Sequence, residues 1–220
     1  MATRFRDRAE AGRLLGERLR ESAGGEEVVV LALPRGGVPV GYEVANEIGA
    51  PLDVFVVRKL GVPGHEELAM GAVASGGVLV LDERTIRALG IGEEEIRRAV
   101  AVELRELQRR EDAYRAGRDP PDLTGKTVIL VDDGLATGAT MRAAALAVRR
   151  HNPARIVVAV PVAAEETCDE FREDVDEAVC VLTPRPFRAV GLWYEDFDQV
   201  SDDEVRELLA RAAERAGTAK

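Results

Sequence analysis

Long apolar runs, a surplus of positive charge and aromatic side chains are all scarce in this chain of 220 residues. No hydrophobic stretch approaches the roughly twenty residues that a membrane-spanning helix needs, so no such helix is expected. Acidic residues outnumber basic ones 40 to 30, a net charge of −10. That balance argues against a nucleic-acid partner, although local arginines can still hold anions. The two cysteines, Cys168 and Cys180, match neither a disulfide framework nor a metal-ligand spacing, and reduced thiols in a cytoplasmic setting are the expectation. The opening MATRFRDRAEAG has no apolar core and does not read as a secretory signal. Repeats and low-complexity tracts are also missing, which leaves a single domain over residues 1–220, long enough to bury a substantial core.

What is present alternates. Residues 8–20 read as an amphipathic helix, and strands are expected at 28–33, 54–57, 70–74, 128–131, 156–162 and 178–182, with helices between several of them. This pattern predicts an α/β fold, an open, mostly parallel sheet with helices on both faces. Residues 70–74 and 78–81 could form a hairpin through Ser75, Gly76 and Gly77. Residues 92–117 form an inserted, charged helix with an apolar stripe of Ile96, Val100, Leu104, Leu107 and Tyr114, which must bury against the sheet or a second subunit. A terminal helix is expected over 202–213. The core spans about 28–182, and the chain ends, 1–25 and 183–220, are left to build a small hood.

The densest information lies in VILVDDGLATGAT, residues 128–140. Val128, Ile129, Leu130 and Val131 have the pattern of a strand buried on both faces, which delivers its C-terminal end to a ligand crevice. Asp132 and Asp133 stand at that end, where two carboxylates are costly unless they meet hydroxyls, a cation or both. Ribose hydroxyls would suit them. Gly134 to Thr140 then offers small side chains just before a helix at about 139–150. Free N–H groups there favour a phosphate, and Thr137 and Thr140 add hydroxyl donors. No GxxxxGK[ST] loop is present, and no GxGxxG follows the first strand.

In this order of apolar strand, acidic pair and Thr-Gly-Ala-Thr, the sequence resembles the type I phosphoribosyltransferases, which bind 5-phosphoribosyl 1-pyrophosphate (PRPP). The resemblance implies that Asp132 and Asp133 hold the ribose 2′ and 3′ hydroxyls, and that Gly134, Ala136, Thr137, Gly138, Ala139 and Thr140 receive the ribose and its 5′-phosphate. In the 6-oxopurine enzymes the residue before the Thr-Gly is an aspartate that acts on the base. Here it is Ala136, so the segment looks more like the adenine-type loop.

The family also needs a pyrophosphate site, and LALPRGGVPV supplies a candidate. Arg35, Gly36 and Gly37 follow the strand at 28–33, with Pro39 at a plausible first helical position. Glycines let the backbone close on an oxyanion, and Arg35 can neutralise it. Loops of this kind in the family often carry a strained or cis peptide near the Arg-Gly. A third cluster, Arg58 and Lys59, follows the strand at 54–57. Only three lysines occur, and Lys59 suits a diphosphate leaving group whose charge grows as the glycosidic bond breaks. Residues 61–70 are placed to form the mobile lid of related transferases. On it, His65, Glu66 and Glu67 are available proton carriers. Lys59, Arg35, Glu66 and Glu67 are therefore the expected catalytic residues.

The stretch TPRPFRAVGLWYEDF, 183–197, resembles the segment that stacks on the base in purine enzymes, with one extra residue between Phe187 and Gly191. Phe187 and Trp193 are rival platforms for the acceptor, and core packing is an equal reading for either aromatic. Glu195 resembles an acid near the metal. The resemblance implies Mg²⁺, with Asp132, Asp133 and Glu195 as its carboxylates, a nucleobase-like acceptor and a homo-oligomer such as a dimer, with no nucleic-acid or membrane partner. A PRPP- or nucleotide-sensing protein that kept the pocket and lost the reaction is the competing expectation.

Overall fold

The computed structural model describes residues 4–21 and 27–218, except for the side chains of residues 66, 67, 217 and 218. Strands β1 (Val28–Ala32), β2 (Leu52–Val54), β6 (Thr127–Val131), β7 (Arg155–Val162) and β8 (Glu177–Leu182) form one parallel sheet in the order β2-β1-β6-β7-β8. A separate antiparallel sheet holds β3 (Val57–Val62), β4 (His65–Ala74) and β5 (Val78–Leu81). The expected α/β architecture is therefore present, with the antiparallel sheet as a second layer.

Two-residue alternation on the parallel strands divides the core. Val30, Ala32, Ile129 and Val131 face one apolar cluster, and Val29, Leu31, Val128 and Leu130 face the other. The first face is covered by α1 (Arg8–Leu19), α2 (Gly37–Ile48) and α7 (Asp202–Thr218). The second is covered by α5 (Ala139–Arg149) and α6 (Glu165–Asp174). Being buried on both faces is why these strands are branched and continuous in sequence. Helix α1 lies unusually close to α2: a Cβ on Gly12 would stand 2.7 Å from the Val40 carbonyl oxygen, and one on Gly16 would stand 2.6 Å from Glu47 Cβ.

Several expectations need correction. Residues 54–57 are not one strand: Val54 ends β2 and Val57 begins β3 in the other sheet. Between them the Val56 N–H donates to Ser75 Oγ at 2.8 Å, and the Ser75 N–H donates to the Val56 carbonyl at 2.9 Å, so the chain is drawn out of the parallel sheet. Residues 61–70 are not an open loop. They belong to the β3–β4 hairpin, turned at Pro63-Gly64, because Leu60, Val62 and Met70 alternate into the core. Pro39 is the third residue of α2, not the first. Helix α3 (Glu83–Leu89) has no strong apolar signal in sequence, and none of its residues is buried.

The inserted helix is α4 (Glu93–Arg115), and its stripe turns into the chain's own core: Leu107 and Tyr114 are buried core residues, and Ile96, Val100 and Leu104, partly buried, pack against the same cluster. Its end is fastened by Arg115, which donates from Nε to Asp53 at 2.9 Å, from Nη1 to Glu111 at 2.8 Å and from Nη2 to the Val54 carbonyl at 3.0 Å. The two cysteines are also corrected: Cys168 of α6 and Cys180 of β8 are joined in a disulfide. The helix-to-strand packing brings the pair together, and no spacing motif announces it.

The chain ends meet, and of the expected hood residues 1–3, 22–25, 219 and 220 lie outside the described residues. The Phe5 N–H donates to the Trp193 carbonyl at 2.9 Å, and the Glu195 and Asp196 N–H groups donate back to Phe5 and Arg6 at 2.8 and 2.9 Å. Phe5 and Tyr194 are buried there, with Phe187, Val190, Trp193 and Phe197 packed around them.

Candidate functional site

Strands β1 and β6 are neighbours, with Ala32 opposite Val131. Their following turns, 34–37 and 132–138, therefore lie side by side beyond the carboxyl ends of the sheet. Chain order reverses here, since β2 lies on one side of β1 and β6 on the other. Such a reversal opens a crevice that receives ligands.

The two turns touch through glycines. A Cβ on Gly36 would stand 2.0 Å from Asp133 Oδ2, and one on Gly37 would stand 2.7 Å from the Val131 carbonyl and 2.9 Å from Asp132 Cα. Only glycine lets the Arg35-Gly36-Gly37 turn rest on the acidic pair. The Pro34–Arg35 peptide is cis. Arg35 is about one-third exposed, with Nη1 3.8 Å from Asp202 Oδ1 at the start of α7. Asp202 in turn accepts from the Tyr114 hydroxyl at 2.8 Å, and with burial this pushes the phenol up to about 12.

Asp132 and Asp133 are both largely buried. Burial and the neighbouring Asp133 charge push the Asp132 carboxyl well above its ordinary range, against the Asp133 N–H that donates to Asp132 Oδ1 at 2.8 Å. Burial also raises Asp133, opposed by Arg8. Arg8 reaches over from the first residue of α1, and its Nε and Nη2 each lie 2.9 Å from Asp133 Oδ2. The Tyr194 hydroxyl donates to the Asp133 carbonyl at 2.6 Å, and burial raises that phenol too. The site thus holds two carboxylates of elevated proton affinity beside one guanidinium, an arrangement suited to accepting hydrogen bonds from a vicinal diol.

Beyond the pair, the chain makes an open cup. Leu135 is buried and pairs with β7 through its N–H to the Val162 carbonyl at 2.9 Å, whereas Ala136, Thr137 and Ala139 are exposed. Gly138, at φ +69, caps α5, and a Cβ there would strike Phe171 at 2.6 Å. Thr167 of α6 donates to the Ala136 carbonyl at 2.8 Å, so α6 floors the loop from behind. The first N–H groups of α5 have no intrahelical acceptors, and Thr137 and Thr140 belong to this same end of the helix. Such a helix start, with its unpaired donors, is of the kind that favours an anion.

The remaining sequence candidates lie apart from this convergence. Arg58 is engaged by α4, its Nε 2.7 Å from Glu103 Oε2. Lys59 is exposed and lines a cleft of about 510 Å³ between β3 and α4, with Pro63, Glu95, Arg98, Val102 and Glu103. His65 is exposed beside the hairpin turn, and the side chains of Glu66 and Glu67 lie outside the described residues. Phe187 and Trp193 pack into the hood, where Trp193 Nε1 is buried with no hydrogen-bond partner among the described residues. Val190 closes on the acidic turn, within 2.5 Å of where a Gly134 Cβ would stand. Glu195 is exposed and does not join Asp132 and Asp133: among the described residues no group of three His, Cys, Asp or Glu side chains converges as a metal cluster. A divalent cation here would have to take most of its ligands from oxygens of a bound diphosphate and ribose, to which the acidic pair is complementary in charge.

Arg8, Tyr194 and Thr167 carry structural duties at this site that sequence reasoning missed. Arg8 is one of several arginines along a helix, and nothing local marks its reach across 125 residues to Asp133.

The model of the phosphoribosyl transferase domain family matches residues 6–190. Two curated proteins from strains of Mycobacterium tuberculosis, named putative phosphoribosyl transferase MT0597 and Rv0571c, are each 48% identical over 208 residues, 94% of this chain and 47% of theirs. The chain spans about half the length of these relatives. Among solved structures, TT1426 from Thermus thermophilus is 44% identical, with a TM-score of 0.85 over 95% of this chain and 99% of that one.

Proposed function

Because the chain belongs to the phosphoribosyl transferase domain family, we propose that it transfers the 5-phosphoribosyl group of PRPP to a nitrogenous base or related acceptor, with Mg²⁺, releasing pyrophosphate. The observation that carries this reading is the contact of the Arg35-Gly36-Gly37 turn with Asp132 and Asp133, beside the open cup that ends at Thr140. One donor molecule can then lie with its 5′-phosphate at 136–140, its ribose diol on the acidic pair and its diphosphate at Arg35.

In this reading the chain's residues share the work of bond breaking. Asp132 and Asp133 fix the ribose so that positive charge can grow at the anomeric carbon, and the Arg35 guanidinium opposes the charge gathering on the departing diphosphate. Mg²⁺, when bound, would supply further neutralisation of the diphosphate oxygens. Ala136 has no group to move a proton, so the acceptor must be deprotonated by a residue from outside the cup, and His65, Glu66 and Glu67 on the β3–β4 hairpin remain the proposed carriers. The acceptor is proposed to enter from the hood side, by Phe187 and Trp193. A cytoplasmic setting and a dimeric assembly are further parts of the proposal. No helix among the described residues is long and apolar enough to cross a membrane.

A sensing role without transfer is the second reading, favoured by one observation: Arg58 is paired to Glu103 and Lys59 faces the α4 cleft. The test is incubation with PRPP, Mg²⁺ and a panel of purines, pyrimidines and related heterocycles, following pyrophosphate release. Acceptor-dependent release supports transfer. Tight PRPP binding with no release across the panel supports sensing, and absence of PRPP binding removes both.

A further inference from the structure

Arg8 engages all three of its guanidinium nitrogens between Asp133 and the hood. Nε and Nη2 both grip Asp133 Oδ2 at 2.9 Å, Nη1 donates to the Asp198 carbonyl at 2.8 Å, and the plane lies 3.9 Å from the centroid of the Phe197 ring. Both partners are shielded, with the Arg8 and Asp133 side chains 12% and 16% exposed. Oδ2 is also the oxygen against which Gly36 is pressed. One oxygen of Asp133 is thus consumed between Arg8 and the Gly36 turn.

We propose that Arg8 is a positioning residue for the ribose of the donor: by locking Asp133 Oδ2 it fixes the carboxylate's rotation and leaves Oδ1 as the acceptor for a ribose hydroxyl. The fork does more than neutralise. Two donors converging on one oxygen pin it in a way that a single ammonium cannot, and stacking on Phe197 with the bond to Asp198 ties that orientation to the hood. Close packing of α1 on α2 through Gly12 and Gly16 gives Arg8 a fixed base from which to reach. The substrate-side consequence is specific: Arg8 acts on the ribose half of the donor, through Asp133, and not on the diphosphate half held at Arg35.

This inference rests on the reading of Asp132 and Asp133 as the ribose site, and calorimetric titration of the full chain separates the two. The ligands are PRPP with Mg²⁺, ribose 5-phosphate, and inorganic pyrophosphate with Mg²⁺. In Arg8→Ala, affinity for PRPP and ribose 5-phosphate is expected to fall about tenfold or more, as losing a shielded charge-assisted contact implies. Pyrophosphate affinity is expected to stay within about twofold of the parent, and Arg8→Lys, which restores charge without the fork, should recover only part of the loss. Equal PRPP affinity in parent and both variants would overturn the role of Arg8, as would a parallel fall for pyrophosphate. Should Arg8→Ala fail to fold, Arg8→Lys decides by the same criteria: an undiminished ribose 5-phosphate affinity overturns the proposal. A parent chain that binds neither PRPP nor ribose 5-phosphate overturns the ribose reading itself, and Arg8 with it.

Discussion

Gly36 stands so close to Asp133 that a methyl group on its Cα would lie 2.0 Å from the carboxylate Oδ2. The anion turn and the acidic pair are therefore one packed unit, and neither can be altered alone. For Gly36→Ala the obstructing atom belongs to a side chain, which can give way only by loosening its contact with Arg8. The fold should survive while Asp133 loses its place. PRPP binding is expected to fall at least tenfold, with a smaller loss of melting temperature than in Gly37→Ala. Gly37→Ala meets the Val131 carbonyl and Asp132 Cα, which are backbone atoms that cannot step aside. It should destabilise the protein by about 1–3 kcal/mol, the usual cost of forcing atoms into packed space. Thermal and denaturant unfolding of both variants, beside PRPP titration, checks the contrast; the same loss of stability in both would refute it.

Asp132 carries a second expectation, in the stability of the unliganded chain. Burial and the adjacent Asp133 raise its carboxyl above the ordinary value of 3.8. A carboxyl raised on folding contributes stability that is fully present below the unfolded value and is lost as pH climbs through the raised value. The ionised form is thus a burden on the free protein at neutral pH. Asp132→Asn removes that charge and keeps an oxygen for the Asp133 N–H, so its denaturation midpoint should match the parent's at about pH 4 and exceed it increasingly toward neutrality. Ribose phosphate binding should weaken in the same variant. A difference in midpoint that does not change with pH would contradict this account.

How far the sequence reveals this site depends on distance along the chain. Residues 128–140 are legible because strand, acid pair and cup are contiguous, and each has its own local signature. Arg35-Gly36-Gly37 is legible for the same reason, although its contact with Asp133 is not. Arg8, Tyr194 and the Cys168–Cys180 bond belong to elements that meet only after folding, so no periodicity or spacing encodes them. The hairpin at 57–74 reads in sequence as a short strand at 54–57, a loop at 61–70 and a further strand at 70–74, because Gly61, Pro63 and Gly64 are ordinarily breakers. At Gly71 a Cβ would strike the Val80 carbonyl at 2.3 Å, so that glycine permits strand packing instead of interrupting it.

Arg115 supplies a stability expectation remote from the cup. It is buried with Asp53 and Glu111, all three about one-tenth exposed, and burial pushes the Asp53 carboxyl up even with the guanidinium at 2.9 Å. Removing the cation leaves two carboxylates without their partner, for which about 3–5 kcal/mol of destabilisation is expected in Arg115→Met. Adding Asp53→Asn to that variant should return part of the loss, because it deletes the charge left behind. Urea unfolding of the parent, Arg115→Met, Asp53→Asn and the double variant tests the pairing. Additive losses in the double variant would show that Arg115 and Asp53 do not act together.

The Arg58–Glu103 pair bears on what the β3–β4 hairpin would do in the proposed transfer. At 2.7 Å, with the side chains 30% and 22% exposed, the pair is worth about 1 kcal/mol or less to the fold. Its larger effect is to hold Arg58 against α4 and away from any diphosphate. If the hairpin must release this contact to bring Arg58 and Lys59 to the donor, Glu103→Gln lowers the cost of release. The variant should then bind PRPP more tightly, by about threefold, while unfolding almost like the parent. Arg58→Ala should weaken PRPP binding by a similar factor. Lys59→Ala should instead lower turnover more than affinity, since its ammonium matters most when leaving-group charge has developed. Steady-state kinetics with the acceptor found in the panel, combined with direct PRPP titration, distinguishes these outcomes. Unchanged kinetics in all three variants would leave the hairpin as a fixed wall, and the charge on the diphosphate would then fall to Arg35.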